Sequence, residues 1–207
     1  MADQITTFSQ LEALYDRPSR NSLVKVAQHI TPEYGAWIGA SRFCILSTVG
    51  ADGTDGSPRG DEDPVARIQD PQTLLIPDWR GNNRLDSLRN IVKDGRVSLM
   101  FMVPGKSNVV RINGQAHLSV SAAHLAMFER KGQLPRCVMV VSVSEVYGQC
   151  ARAIIRSGLW NGQAVPDLRS MGDILQAQTA GEAEQSARID SAAYEKDWRA
   201  RVTKSLW

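Results

Sequence analysis

Two kinds of apolar spacing divide the chain. Between Phe43 and Val146 short apolar runs alternate with turns rich in Gly and Pro, whereas on either side apolar residues recur at three and four positions. The first spacing predicts strands and the second helices. The strand runs are Phe43–Val49 (FCILSTV), Thr54–Asp61 (TDGSPRGD), Val65–Ile68, Thr73–Ile76, Val97–Val103, Asn108–Val120 and Cys137–Val146. Gly50-Ala51-Asp52-Gly53 predicts a hairpin turn between the first two. Pro58 cannot donate to a ladder, which makes the second run an edge or a bulged strand. Alternation along that run puts Ser57, Arg59 and Asp61 on one face. Short strands joined by such turns around one central helix predict a closed β-barrel.

Helical spacing marks Thr7–Tyr15, Leu23–Ile30 and Glu33–Ala40, the last with Trp37 and Ile38 facing inward. These three form a lead-in, residues 1–40, expected to pack onto the main body. Ala122–Arg130 is a further helical segment, and Cys150–Trp160 turns helical or irregular. The barrel then occupies 41–165. The polar, Ala/Glu/Gln-rich remainder, 166–207, reads as one or two surface helices, an extension packing on the barrel or on a partner.

Thr73–Val92 (TLLIPDWRGNNRLDSLRNIV) joins the two spacings. An apolar run stops at Pro77, Gly81-Asn82-Asn83 turns the chain, and Leu85, Leu88 and Val92 follow as one buried helix face ending near Asp94-Gly95. Arg84 stands at the start of that helix, where the partial positive charge of a helix N-terminus disfavours a cation unless an anion is bound. Free N–H groups there would take such an anion. The stretch is therefore either a phosphate site or a turn with a solvated arginine. Arg59, Arg84 and Arg111, with Ser57 and Asn83, would together satisfy a dianionic phosphate if the barrel brings them close.

Composition removes several classes. Lys and Arg total 24 against 22 Asp and Glu, a net charge of +2 on 207 residues, which gives no electrostatic case for nucleic acid. No apolar run approaches the ~20 residues of a membrane span. The N-terminal MADQITTFSQ lacks the apolar core of a secretory signal, so the cytoplasm is the default compartment. Cys44, Cys137 and Cys150 fit buried thiols rather than a disulfide framework or a zinc site. His29, His117 and His124 have no ligand spacing, and Asp61, Glu62 and Asp63 read as a solvated acidic loop. No G-x-S-x-G, Walker or G-x-G-x-x-G motif is present.

The ordered series FCILSTVGADGTDGSPRGD, TLLIPDWRGNNRLDSLRNI, VPG with VVRINGQA, and CARAIIRSGLW resembles the pyridoxamine 5′-phosphate oxidase-related proteins, in particular a bacterial subfamily with the SPRGD and GNNRLDSLRNI signatures. The resemblance runs from Phe43 to Trp160. It implies an α+β fold, mainly β: a six-stranded antiparallel split barrel with flanking helices, working as a homodimer with FMN at the interface. It also implies site residues. Ser57 and Arg59 would lie near the cofactor, and Ile76, Pro77 and Asp78 beside its ring and ribityl chain. Asn83 and Arg84 would hold the phosphate, with Arg111 a further phosphate or barrel-floor candidate. Trp160, with Arg156, would reach in from the partner subunit. An Arg-Lys pair near the phosphate and a C-terminal Arg-x-His motif, both features of the true oxidases, are missing here, which argues against vitamin B6 oxidation. The function implied is that of a flavin-dependent oxidoreductase of unknown small-molecule substrate. The alternatives are a non-catalytic flavin or haem binder and an RNA-binding barrel. The last is opposed by the near-neutral charge and the absence of an aromatic-rich strand.

Overall fold

The computed structural model describes residues 3–51, 53–162 and 166–204. Its centre is one antiparallel sheet of seven strands, flanked by helices. The strands are β1 (Phe43–Gly50), β2 (Gly53–Gly60), β3 (Arg67–Asp70), β4 (Thr73–Asp78), β5 (Arg96–Met102), β6 (Val109–Ser119) and β7 (Cys137–Gln149). Their order is β2-β1-β5-β6-β7-β4-β3, so β2 and β3 are the two ends of the sheet rather than neighbours. Seven strands replace the six implied by the resemblance, and the ladder is open where a closed barrel was expected. Asp52, in the predicted β1–β2 turn, lies outside the described residues; the strands on either side pair Gly50 with Gly53.

The sheet rolls around its inner face. Cys44, Leu46, Leu74, Ile76, Leu99, Phe101, Ile112, Met139, Val141 and Val146, drawn from five strands, form one buried cluster with Ile38 and Ile91. β4 is buried on both faces, which explains its unbroken apolar run. Leu74 and Ile76 point inward, while Leu75 joins Val138, Val140 and Phe128 on the other side. β4 does not stop at Pro77; it pairs with β7 as far as Asp78. The proline is tolerated because β3 pairs only as far as Leu75, leaving no ladder partner on that side. At Gly114 a bulge shifts the β6–β7 register, and a Cβ there would collide with the Ser142 carbonyl, so the position requires glycine.

Three helices precede the sheet: α1 (Phe8–Glu12), α2 (Arg20–Val24) and α3 (Pro32–Ala40). α3 buries Ile38 as expected. α1 and α2 bury nothing, and Phe8, Leu14, Tyr15, Leu23 and Val24 are exposed. Of the expected helix over 23–30 only Leu23 and Val24 are helical; beyond them Ala27 forms an isolated bridge, exchanging two backbone hydrogen bonds with Val146 at 2.9 and 2.8 Å.

The central helix is α4 (Asp86–Lys93), packed against β1, β2 and β6. Its buried residues are Ser87 and Ile91, with Leu88 partly buried; Leu85 and Val92 face solvent. The predicted face was therefore rotated, because Leu85 is the N-cap in a left-handed conformation and not a helical residue. α5 (Ala122–Ala126) is shorter than the predicted helix and covers the outer face of β4 and β7 through Leu125 and the following Phe128. α6 (Arg152–Ser157) follows β7. Beyond it α7 (Met171–Thr179) and α8 (Ser191–Lys204) pack on each other, tied by a 2.8 Å bond from Gly172 N–H to Glu195 Oε1. No helix among the described residues is long and apolar enough to cross a membrane.

Candidate functional site

The open side of the sheet is where candidate site residues gather. A cavity of about 330 Å³ lies between β2 and the loop leading into α4; Ser57, Arg59, Asp78, Asn83, Arg84 and Ser87 all line it. Ser57 and Arg59 point into the barrel because they sit in the same cross-strand rows as the buried Leu46 and Cys44. Asp78, from the end of β4, lies 3.6 Å from Arg59.

The loop is shaped for an anion. Asn82 Oδ1 accepts from the Arg84 N–H at 3.1 Å, and Asn83 and Leu85 both have positive φ, 60° and 63°. Left-handed residues interleaved with ordinary ones turn successive N–H groups toward one concavity. α4 opens from this loop with no side chain capping it. Asp55 on β2 accepts from the buried Ser87 hydroxyl and fixes the start of the helix against the sheet.

Arg59 is incompletely satisfied. Among the described residues its Nε is buried with no hydrogen-bond partner, and its only ion pair is the long one to Asp78. Burial raises the Asp78 carboxyl above its ordinary value, with Arg59 and then Arg136 opposing the shift. Burial likewise pushes the Cys44 thiol up to about 12, against the pull of Arg59. Cys137, opposite Asp78 in the β4–β7 ladder, is raised by burial and by the Asp78 charge. Cys150 is exposed, unlike the buried thiol expected.

Arg84 is turned outward. Its Nε holds Asp86 Oδ2 at 2.9 Å and its side chain is 77% exposed. The cation at the helix start thus has an acidic partner in the first turn, where an acid is favourable. Ile76 is fully buried in the core, so only its backbone can face a ligand. Pro77 lines a second cavity of about 400 Å³, which shares Arg59, Trp79 and Gly81 with the first.

Arg111 is not brought to this place. Its cross-strand row is Ile45, Met100 and Tyr147, one residue out of step with the row of Cys44 and Arg59, so it occupies the outer face. There its guanidinium lies 5.4 Å from the Tyr147 ring centroid and Nη2 reaches Ser98 Oγ at 3.4 Å, while Nε is buried without a partner. Trp160 donates from Nε1 to the Lys106 carbonyl at 2.8 Å, on the β5–β6 turn, and Arg156 is exposed on α6.

Three lining residues had no signal of their own in the sequence. Arg136 precedes β7 and donates its backbone N–H to the Asp78 carbonyl at 3.0 Å. Gly56 leaves its Cβ position open on the cavity wall. Trp79 follows Asp78, and its indole donates to Asp61 Oδ2 at 3.0 Å. Asp61 in turn holds Arg130, which also takes Glu62 and Asp63, so the acidic loop is not simply solvated. Among the described residues no cluster of His, Cys, Asp and Glu could hold a metal ion.

The chain belongs to the pyridoxamine 5′-phosphate oxidase family, whose model matches residues 30–150. No curated protein matches it. Among solved structures it is similar to HupZ of Group A Streptococcus, at 18% identity over 57% of this chain and 93% of that one, with a TM-score of 0.48. It is similar to general stress protein 26 of Bacillus anthracis at 14% identity, over 55% of this chain and 88% of that one, TM-score 0.42. A third is the FAD binding protein of Mycobacterium smegmatis, at 15% identity over 59% and 97% of the two chains, TM-score 0.40.

Proposed function

We propose that this protein binds FMN in the cavities between β2, the end of β4 and the start of α4, and acts as a flavin-dependent oxidoreductase on a small molecule. The observation that carries the reading is the buried, unpartnered Nε of Arg59 on the wall of the first cavity. An unpaired buried donor is costly, and a phosphate oxygen would satisfy it. Ser57 and Asn83 side chains and the uncapped N-terminus of α4 supply the other donors a phosphate needs.

In this reading the phosphate end of the flavin occupies the first cavity and the ring end the second. Asn83 and the α4 N–H groups orient the phosphate, and Arg59 neutralises it. Pro77, Trp79 and the Ile76–Asp78 backbone bound the ring and exclude water. The bound flavin supplies two-electron chemistry, with the protein supplying position and electrostatics. Arg111 and Trp160 lie away from these cavities and would meet the cofactor only across a homodimer interface, with the 166–207 extension packed on the barrel or on the partner. Neither His29, His117 nor His124 lines the cavities, so the haem alternative has no imidazole ligand there.

The visible spectrum of the purified protein tests the reading. Bands near about 450 nm that bleach with NAD(P)H or dithionite are expected. Bleaching only by dithionite would mean a bound flavin whose electron donor is another molecule, and a Soret band would mean haem. A colourless protein that FMN cannot reconstitute would discard the proposal.

A further inference from the structure

A third cavity, of about 790 Å³, lies on the other side of the Asp61–Pro64 loop and takes no part in the proposed flavin site. Its volume falls within the range of small-molecule pockets. Its apolar wall is Ala66, Ile68, Met127 and Phe128, and Trp79 closes it toward the first two cavities, since that indole lines all three.

The charges around it are unequally committed. Asp61 and Asp63 are both held by Arg130 at 2.7 Å, so these loop acids are directed at that one cation. Arg67 and Lys131 line the same cavity and have no acidic partner among the described residues; Arg67 instead lies 5.3 Å from the Phe128 ring centroid. The wall is balanced overall, with Arg67, Arg130 and Lys131 against Asp61, Asp63 and Glu129, but Asp61 and Asp63 face Arg130, which leaves Glu129 as the acid beside Arg67 and Lys131.

Lys131 is placed on purpose-built backbone. Arg130 and Gln133 exchange backbone hydrogen bonds at 2.9 and 2.8 Å, closing a two-residue turn with Lys131 at φ 50° and Gly132 at φ 77°. Two consecutive left-handed residues form the tight turn that a hairpin needs, and a lysine there is tolerated at a conformational cost. Arg130 anchors this lip to the Asp61 loop, and Asp61 anchors Trp79.

We propose that this cavity binds a small organic anion with a flat apolar body, such as an aromatic carboxylate. Trp79, Ile68 and Met127 receive the body, and Arg67 and Lys131 receive the carboxylate. Its further role as the place of the flavin's reaction partner rests on the flavin reading and on the shared wall at Trp79. The binding site itself does not.

The test uses the full chain, with 2-naphthoate and the neutral 2-naphthamide titrated by calorimetry and FMN titrated in parallel. Arg67→Met keeps an apolar stem over Phe128, and Lys131→Asn suits the left-handed turn. Saturable 2-naphthoate binding is expected, weakened by about tenfold in each variant, with 2-naphthamide binding weaker and unaffected by either change. FMN affinity is expected to stay the same in both. Absent saturable binding, or equal 2-naphthoate affinity in wild type and both variants, overturns the site. If 2-naphthoate behaves as expected while FMN does not bind at all, the flavin reading fails and the site stands.

Discussion

Arg59 on β2 and Asp78 on β4 lie 3.6 Å apart although their strands are near opposite ends of the seven-stranded ladder. Only a sheet rolled into an open barrel can bring them together. The pair therefore marks the seam of the fold, and the cavity beside it exists because the seam is not zipped by backbone hydrogen bonds. Both side chains remain partly hydrated, at 23% and 12% exposure. Desolvation of the two groups offsets most of their attraction, so the pair contributes little to stability, and its interest lies in the guanidinium atom it leaves unsatisfied.

Arg59→Ala should lower FMN affinity by one to two decades, since a charge-assisted contact to phosphate is worth roughly 1.5–3 kcal/mol. Arg84→Ala should cost much less, because Arg84 is exposed and already occupied by Asp86. The apo-protein's melting temperature should move little in Arg84→Ala and fall in Arg59→Ala, which leaves the largely buried Asp78 carboxylate without its cation. Flavin fluorescence quenching and thermal melts of the same samples check both halves. Equal loss of affinity in the two variants would refute the ordering.

Asp78 gives a pH dependence. Burial raises its folded carboxyl above the unfolded value, so the native state binds more protons than the unfolded state between the two. Stability contributed by this group therefore falls as pH rises through that window and is regained on acidification. Asp78→Asn removes the buried charge. The variant should be more stable than wild type at neutral pH, and the difference should shrink as pH drops below the raised carboxyl value. Urea unfolding across a pH series measures it; a difference that grows toward low pH would contradict the burial argument.

The thiols should separate by reactivity. Cys44, pushed up to about 12 by burial, stays a thiol at ordinary pH, and Cys137 is raised in the same direction. Only thiolates alkylate readily. Iodoacetamide at mildly alkaline pH should therefore label Cys150 first, with Cys44 protected until denaturant is added. Peptide mass spectrometry reads the order directly.

Much of this architecture was legible in local pattern, and what escaped depends on assembly. Alternating runs such as Phe43–Val49 carry their own period, and the observed strands fall on them. Pro58 correctly marked β2 as an edge. Spacing failed where tertiary context decides the face: Leu85, Leu88 and Val92 have helical spacing, yet the left-handed turn at Leu85 starts the helix one residue later. Arg111 shared a sequence style with Arg59, but cross-strand register puts it on the opposite side of the sheet. Trp79 and Arg136 gain meaning only when the sheet ends meet, which no local window contains.

Asp61 ties Arg130 to Trp79 beside that seam. Asp61 has a side chain only 5% exposed and is held by Arg130 at 2.7 Å and by the Trp79 indole at 3.0 Å. Removing the cation strands a buried carboxylate, a change that costs roughly 3–5 kcal/mol when the partner charge stays behind. Arg130→Met should therefore be strongly destabilising. Its contacts to Glu62 and Asp63 contribute less, because those carboxylates are 65% and 71% exposed. Adding Asp61→Asn to Arg130→Met removes the stranded charge while keeping an acceptor for Trp79, so the double variant should recover a large part of the loss. Urea midpoints for the two single variants and the double variant complete the cycle. If the double variant is no more stable than Arg130→Met alone, Asp61 is not the residue through which Arg130 holds the loop.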